Sequence, residues 1–319
     1  MNAVTPLARS TDPDSPDLGG SDLGGGRFTP DKLAGVLAGV CAVADLDPTG
    51  ATLLRFATNA VFRLAAQPVV VRICGSWALR HRVDKIVKVA NWLADHDFPA
   101  VRLLPGLPQP VRIGDYLATV WEEVPTASYQ PTSRDLAGLL RRLHELPPPA
   151  FALPAWSPLD DAARRIADAE RLAADDREFL EARCAEVGAR LADLEFPLPS
   201  AVVHGDAHLG NLIPGLDGPV LCDFDSTCFG PPEWDLTPIP VALRRFGGSP
   251  GEARLLLRTY GFDVTKWVGF EVLREVRELN MVTSVLPILR SNPGLAPELH
   301  RRLASVRSGD SSARWARYR

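Results

Sequence analysis

Residues 201–225 read AVVHGDAHLGNLIPGLDGPVLCDFD. Two short apolar runs, Ala201-Val202-Val203 and Val220-Leu221-Cys222, each end in a polar cluster. The first cluster is His204-Gly205-Asp206-Ala207-His208-Leu209-Gly210-Asn211 and the second is Asp223-Phe224-Asp225. Between them, Pro214-Gly215 and Asp217-Gly218 have the composition of turns. The pattern predicts a strand, a polar loop, a short strand, a turn, and another short strand with its own polar end. Asp206, Asn211 and Asp223 would then lie near one another. Two carboxylates and an amide oxygen are hard ligands that suit Mg²⁺. Magnesium takes one or two protein carboxylates and completes its shell with water and phosphate oxygens, so one carboxylate stays available to accept a proton. A base, an amide ligand and a carboxylate ligand are the parts a phosphoryl-transfer site needs. His204 and His208 beside Asp206 also admit a zinc site, although no further His, Cys or Glu follows at ligand spacing.

The joint pattern H-G-D-x₄-N, a hairpin, then D-F-D resembles the aminoglycoside phosphotransferase and choline kinase superfamily of small-molecule kinases. The resemblance implies an α+β, bilobal, protein-kinase-like fold: a small N-lobe with an antiparallel sheet and a larger, mainly helical C-lobe. It implies Asp206 as catalytic base, Asn211 and Asp223 as magnesium ligands, and His204 as a structural residue of the loop. Pro232-Glu233-Trp234-Asp235-Leu236 resembles the family's D-P-x-x-D-L segment, with Pro231-Pro232 where the family often has Asp-Pro. Asp235 would brace the catalytic loop rather than react.

Composition sets the outer bounds. The chain has 319 residues, enough for two lobes with a real core. At 46% hydrophobic and 23% charged it reads as an ordinary soluble globular protein. A formal charge of −4 argues against binding nucleic acid by phosphate neutralisation. The five cysteines, Cys41, Cys74, Cys184, Cys222 and Cys228, form no C-x-x-C pair and read as reduced thiols. With no membrane-length apolar run and no apolar leader, the expected location is cytoplasmic. The expected partner is a small-molecule acceptor, with no nucleic acid and no membrane, acted on by a monomer or weak homodimer.

Residues 1–27 are rich in Asp, Ser, Pro and Gly and read as a disordered tail. The N-lobe is expected over 28–124 and the C-lobe over 125–319. Thr29-Pro30-Asp31 opens a helix with Thr29 as N-cap. Leu53–Phe56, Ala60–Leu64 and Val69–Ile73 read as three successive strands. The resemblance places the Thr58-Asn59 turn over the phosphates of ATP (or GTP), and Arg72, where aminoglycoside kinases usually have Lys, as their basic grip. Arginine's planar fork can hold two phosphate oxygens, so the exchange is chemically coherent. Trp77 to Asp95 has a helical pattern. The family usually carries there a Glu that pairs with the basic strand residue; this chain has none, and Asp84 is the nearest carboxylate. A hairpin follows over 109–124, and the resemblance puts the adenine against the backbone of Glu122, Glu123 and Val124.

Ser133 to Leu146 is a strongly amphipathic helix stopped by Pro147-Pro148-Pro149. His144 within it reads as a core or capping residue. Asp160 to Leu194 reads as two charged helices with a solvated face. Further helices are expected over 241–246, 251–260, 266–289 and 299–306. In aminoglycoside kinases, acidic residues of this C-terminal region grip a cationic substrate. Asp225, Glu233, Glu271 and Glu275 are the candidates here, and exposed salt bridging on the helix is the competing reading. The sequence thus points to a kinase whose acceptor is an aminoglycoside or another small hydroxyl compound: choline, homoserine, a macrolide or a sugar. Asp225 stands where a protein kinase has the Gly of D-F-G, which argues against a protein substrate. A non-catalytic nucleotide-binding pseudokinase is the alternative class.

Overall fold

The structure is a computed structural model. It describes residues 30–56, 59–74, 77–290 and 292–318. The expected tail over 1–27, the cap at Thr29 and the turn residue Thr58 lie outside the described residues. The chain divides into two compact units. One takes the described residues up to Gln130 together with Leu212–Asp225; the other takes Pro131–Asn211 and Ser226 onward.

The first unit is a five-stranded antiparallel sheet with two helices. Helix α1 (Pro30–Ala44) buries Leu33, Val36, Leu37, Val40 and Cys41, the one-sided spacing of an amphipathic helix. Strands β1 (Thr52–Phe56), β2 (Asn59–Arg63), β3 (Val69–Cys74), β4 (Val111–Ile113) and β5 (Tyr116–Glu122) stand in the order β1-β2-β3-β5-β4. Along β3, Val69, Val71 and Ile73 are buried in the core that α1 covers, and the period of two puts Arg72 on the opposite face. A 3₁₀ turn (Trp77–Arg82) leads into α2 (Val83–Asp95), which buries Ile86, Val89, Ala90 and Leu93.

The hairpin of β7 (Leu212–Gly215) and β8 (Gly218–Leu221) also belongs to this unit. Its backbone explains why. Val101 donates to the Leu221 carbonyl at 3.0 Å, Leu221 to Pro99 at 2.9 Å, and Ala127 to Pro214 at 2.7 Å. The unit boundary therefore differs from the single break expected at residue 124. The turn also differs: Gly215 pairs with Gly218 across the ladder, so Leu216-Asp217 alone make the turn.

The second unit is mainly helical. Helix α3 (Ser133–His144) starts at a capping box in which Asp135 Oδ2 accepts from the Thr132 amide at 2.8 Å. It buries Leu136, Leu139, Leu140 and Leu143. Helices α4 (Asp160–Ala167) and α5 (Ala174–Ala192) follow, and of α5 only Leu180 and Val187 are buried. Strand β6 (Ala201–Val203) pairs with β9 (Cys228–Gly230), a three-residue strand too short to give a sequence signal. Helices α6 (Glu233–Leu236), α7 (Pro238–Phe246), α8 (Pro250–Tyr260), α9 (Phe270–Thr283) and α10 (Ala296–Arg307) complete it. Helix α9 is the centre of this core: Val272, Leu273, Val276, Leu279 and Val282 pack with residues of α4, α5 and α10 and with Trp315.

Candidate active site

The loop after β6 is held by one carboxylate. Asp235 of α6, fully buried, accepts from the His204 amide at 2.6 Å and the Gly205 amide at 2.8 Å. His144 of α3 donates from Nε2 to the same carboxylate at 3.1 Å, and its Nδ1 lies 2.9 Å from the Tyr260 hydroxyl. Burial alone raises the Asp235 carboxyl. The hydrogen bond and charge of His144, the charge of His204 and the Gly205 amide outweigh it and hold the group below the usual carboxylate range. Gly205 has φ +86°, and a Cβ there would run into the Ser226 carbonyl oxygen, so only glycine fits this crossing.

Arg277 of α9 completes the support. Its guanidinium stacks 3.5 Å from the Trp234 ring centroid and donates to the carbonyls of Gly205 (3.1 Å) and Trp234 (2.9 Å) and to the Thr237 hydroxyl (3.0 Å). Trp234 Nε1 donates to the same Gly205 carbonyl at 2.9 Å. Burial pulls the Arg277 guanidinium down to about 10, against Asp206 and Asp235, so it stays charged at neutral pH. Out of this buried frame Asp206 emerges with its side chain 54% exposed. Its Oδ1 lies 3.9 Å from Arg277 Nη1 and its Oδ2 3.7 Å from His208 Nε2. Asn211, buried, donates to the Asp206 carbonyl at 2.9 Å.

The D-F-D turn belongs to the first unit. Asp223 has φ +69°, a left-handed conformation that Asp tolerates better than most residues but that still costs about 1 kcal/mol. Its Oδ2 lies 3.9 Å from Arg55 Nη1, and its Oδ1 is buried and accepts no hydrogen bond among the described residues. Asp225 Oδ2 is ion-paired with Arg72 of β3 and accepts from Asn59 Nδ2 of β2 at 3.3 Å. Its carbonyl takes Lys85 Nζ of α2 at 2.6 Å, and its Oδ1 is a second buried oxygen with no donor among the described residues. Carboxylate oxygens left bare in this way fit a hard cation such as Mg²⁺. Among the described residues no three His, Cys, Asp or Glu side chains gather into a metal-binding group.

Other expected residues stand elsewhere. The amides of Glu122 and Glu123 donate to the Arg102 and Pro68 carbonyls at 2.9 and 2.8 Å, so neither amide is open to a nucleotide base. Asp84 is exposed on α2, so the carboxylate beside Arg72 comes from the D-F-D turn instead. The acidic candidates of the C-terminal region have partners within the chain. Glu275 pairs with Arg183 (2.7 Å) and Arg190 (2.8 Å), and Glu271 with Arg244 and Arg274, both at 2.7 Å. Glu233 is fully buried and accepts from the Leu198 amide at 2.7 Å. Glu271 and Glu275 thus face arginines, whereas Glu233 keeps a second buried oxygen, Oε2, that accepts no hydrogen bond among the described residues. Arg277 and Lys85 were missed because each acts on residues far away in sequence, with no local pattern to mark them.

The model of the phosphotransferase enzyme family matches residues 53–277. No curated protein is similar enough in sequence to match. Solved structures share the fold at low identity. Amicoumacin kinase hAmiN, in complex with AMP-PNP, Ca²⁺ and Ami, is 13% identical with a TM-score of 0.67 over 89% of this chain and 95% of that one. A choline/ethanolamine kinase family protein from Mesorhizobium loti is 19% identical, TM-score 0.58, over 88% and 99%. The gentamicin–APH(2″)-IIa complex is 13% identical, TM-score 0.62, over 88% and 98%. The fold is kinase-like and α+β. Among the described residues no helix is long and apolar enough to cross a membrane.

Proposed function

The chain belongs to the phosphotransferase enzyme family, and from that premise we propose that it moves the γ-phosphoryl group of ATP (or GTP) to a hydroxyl of an antibiotic-like small molecule. The family makes it a small-molecule kinase; the acceptor class is the proposal. The observation that carries the reading is Asp206: a half-exposed carboxylate between the buried Gly205 and Ala207, on a loop pinned by Asp235 and Arg277. A base must stand ready while its backbone stays fixed, and this loop meets both conditions.

Asp206 accepts the acceptor's hydroxyl proton as its oxygen bonds to the γ-phosphorus, and the bond from that phosphorus to the β-phosphate bridging oxygen breaks, releasing ADP. Arg72, with Asn59 and Thr58, grips the phosphates, and the backbone around Val124 reads the adenine. Asn211 and Asp223 would hold Mg²⁺, with the bare Asp223 oxygen supporting that role. When bound, magnesium neutralises phosphate charge. His204 and Asp235 position the loop.

For the acceptor, two of the three similar structures above carry antibiotics by name, amicoumacin and gentamicin, which supports an aminoglycoside-type or related antibiotic and a resistance role. Choline, homoserine, a macrolide or a sugar is the alternative. Since the carboxylates on α9 are paired with arginines, the acceptor need not be cationic. A cytoplasmic site of action follows from the donor nucleotide. The test is ADP release with Mg²⁺ across a panel of aminoglycosides, choline, homoserine, macrolides and sugars. One class should give acceptor-dependent release, and Asp206→Ala should lower it by about 10²–10⁴-fold while keeping nucleotide binding. Normal turnover by that variant would remove Asp206 from the role of base. Nucleotide binding without release from any acceptor would favour a pseudokinase.

A further inference from the structure

The D-F-D turn does more than present a metal ligand. Arg72 has a side chain only 16% exposed, on the sheet face away from the α1 core. A guanidinium that far out of water is stabilised by a carboxylate beside it. Both carboxylates of α2, Asp84 and Asp95, are exposed. The helix instead contributes a cation, Lys85, and directs it at the carbonyl of Asp225. Asn59 of β2 and Arg72 of β3 both donate to the Asp225 carboxylate. Three elements that arrive separately in the sequence therefore converge on one residue of the turn.

We infer that Asp225 is a positioning residue: it is the counter-ion that aims the Arg72 guanidinium, and Lys85 fixes it from α2. The arrangement reverses the polarity of a strand-cation and helix-acid pair. The acid sits on the turn, and the helix brings a second positive charge. Arg72 meets the Asp225 carboxylate and Lys85 its backbone carbonyl, so two positive side chains gather at one negative residue and the three together carry a net charge of +1, suited to a polyphosphate. Arginine's planar fork lets one edge stay on Asp225 while the other meets phosphate oxygens. The inference rests on the reading of Arg72 as a phosphate ligand.

The test separates this role from metal ligation by working first without metal. A fluorescent ATP analogue is titrated into the full chain in EDTA, using wild type, Arg72→Met, Asp225→Asn and the double variant. Each single variant should bind about tenfold more weakly, the size of one lost charge-assisted contact, and the double variant no more weakly than Arg72→Met. Asp225→Glu, which keeps the charge, should recover part of the affinity, and Lys85→Met should lose less than Asp225→Asn. Thermal unfolding of each variant confirms that the chain is folded. Equal affinity of Asp225→Asn and wild type in EDTA, with a gap only once Mg²⁺ is added, overturns the inference and makes Asp225 a metal ligand. Additive losses in the double variant overturn it too. A wild-type chain that binds no nucleotide overturns the reading of the site itself, a result distinct from both.

Discussion

In the loop after β6, the amides of His204 and Gly205 end on Asp235, and the Gly205 carbonyl takes both Trp234 and Arg277. In the D-F-D turn, by contrast, Asp223 sits at φ +69°, and its Oδ1 and that of Asp225 are buried with no donor among the described residues. One segment is saturated and gains stability from its contacts. The other holds polar atoms in reserve, and an unmet buried oxygen costs about 1–3 kcal/mol. The difference teaches how to sort the residues. Saturated groups fix the backbone that carries Asp206; under the proposed function, the bare oxygens would meet a cation. This is the pattern expected where function is kept at the expense of stability.

The comparison is broken hardest at the brace. Asp235→Asn removes the charge that takes two amides and His144, and should cost about 3 kcal/mol in urea unfolding and most turnover. The pH dependence has a definite sign. A carboxyl held below its ordinary value contributes stability that is complete above that value, ~3.9, and fades as pH falls through the lowered one. The stability gap between wild type and Asp235→Asn should therefore close as pH drops below about 4. A gap that stays constant into acid would mean Asp235 is not ionised in the folded chain.

Arg277→Met comes next. It leaves the carbonyls of Gly205 and Trp234 with one donor fewer and removes the charge 3.9 Å from Asp206. A loss of about 2 kcal/mol is expected, with kcat down about tenfold and KM for ATP unchanged. A change in KM alone would detach Arg277 from the base. The smallest effect sharpens the contrast from the other side. Asp223→Gly relieves the positive φ and deletes a bare oxygen, so thermal unfolding should show no loss and a gain of up to about 1 kcal/mol. Magnesium-dependent nucleotide binding should fall in the same variant. Destabilisation there would place Asp223 among the saturated, structural group.

The sequence made the local parts of this site readable. H-G-D-x₄-N and D-F-D are short runs whose spacing is their meaning, and the antiparallel strands and α3 follow from periods of two and of about 3.6. What escaped were pairings over long separations. Asp225 meets Arg72 across 153 positions, and Arg183 meets Glu275 across 92. A Glu at helical spacing looks the same whether it faces water, a substrate or a distant arginine, so the sequence leaves the acidic residues of α9 with two readings. Strand β9 is only three residues long, and the membership of the 212–225 hairpin depends on backbone bonds to residues near 99 and 127.

The first compact unit is not continuous in the gene order of the chain. It is interrupted after Gln130 and resumes at Leu212. During synthesis, the strands carrying Asn59 and Arg72 leave the ribosome long before the hairpin that completes their unit and the aspartate they bind. A fragment cut at residue 130 lacks that hairpin and so lacks part of its own compact unit. A fusion partner or reporter spliced in at Leu216-Asp217 would instead interrupt an exposed turn of the same unit. The order in which the pieces appear, and not only their final contacts, is written into this fold.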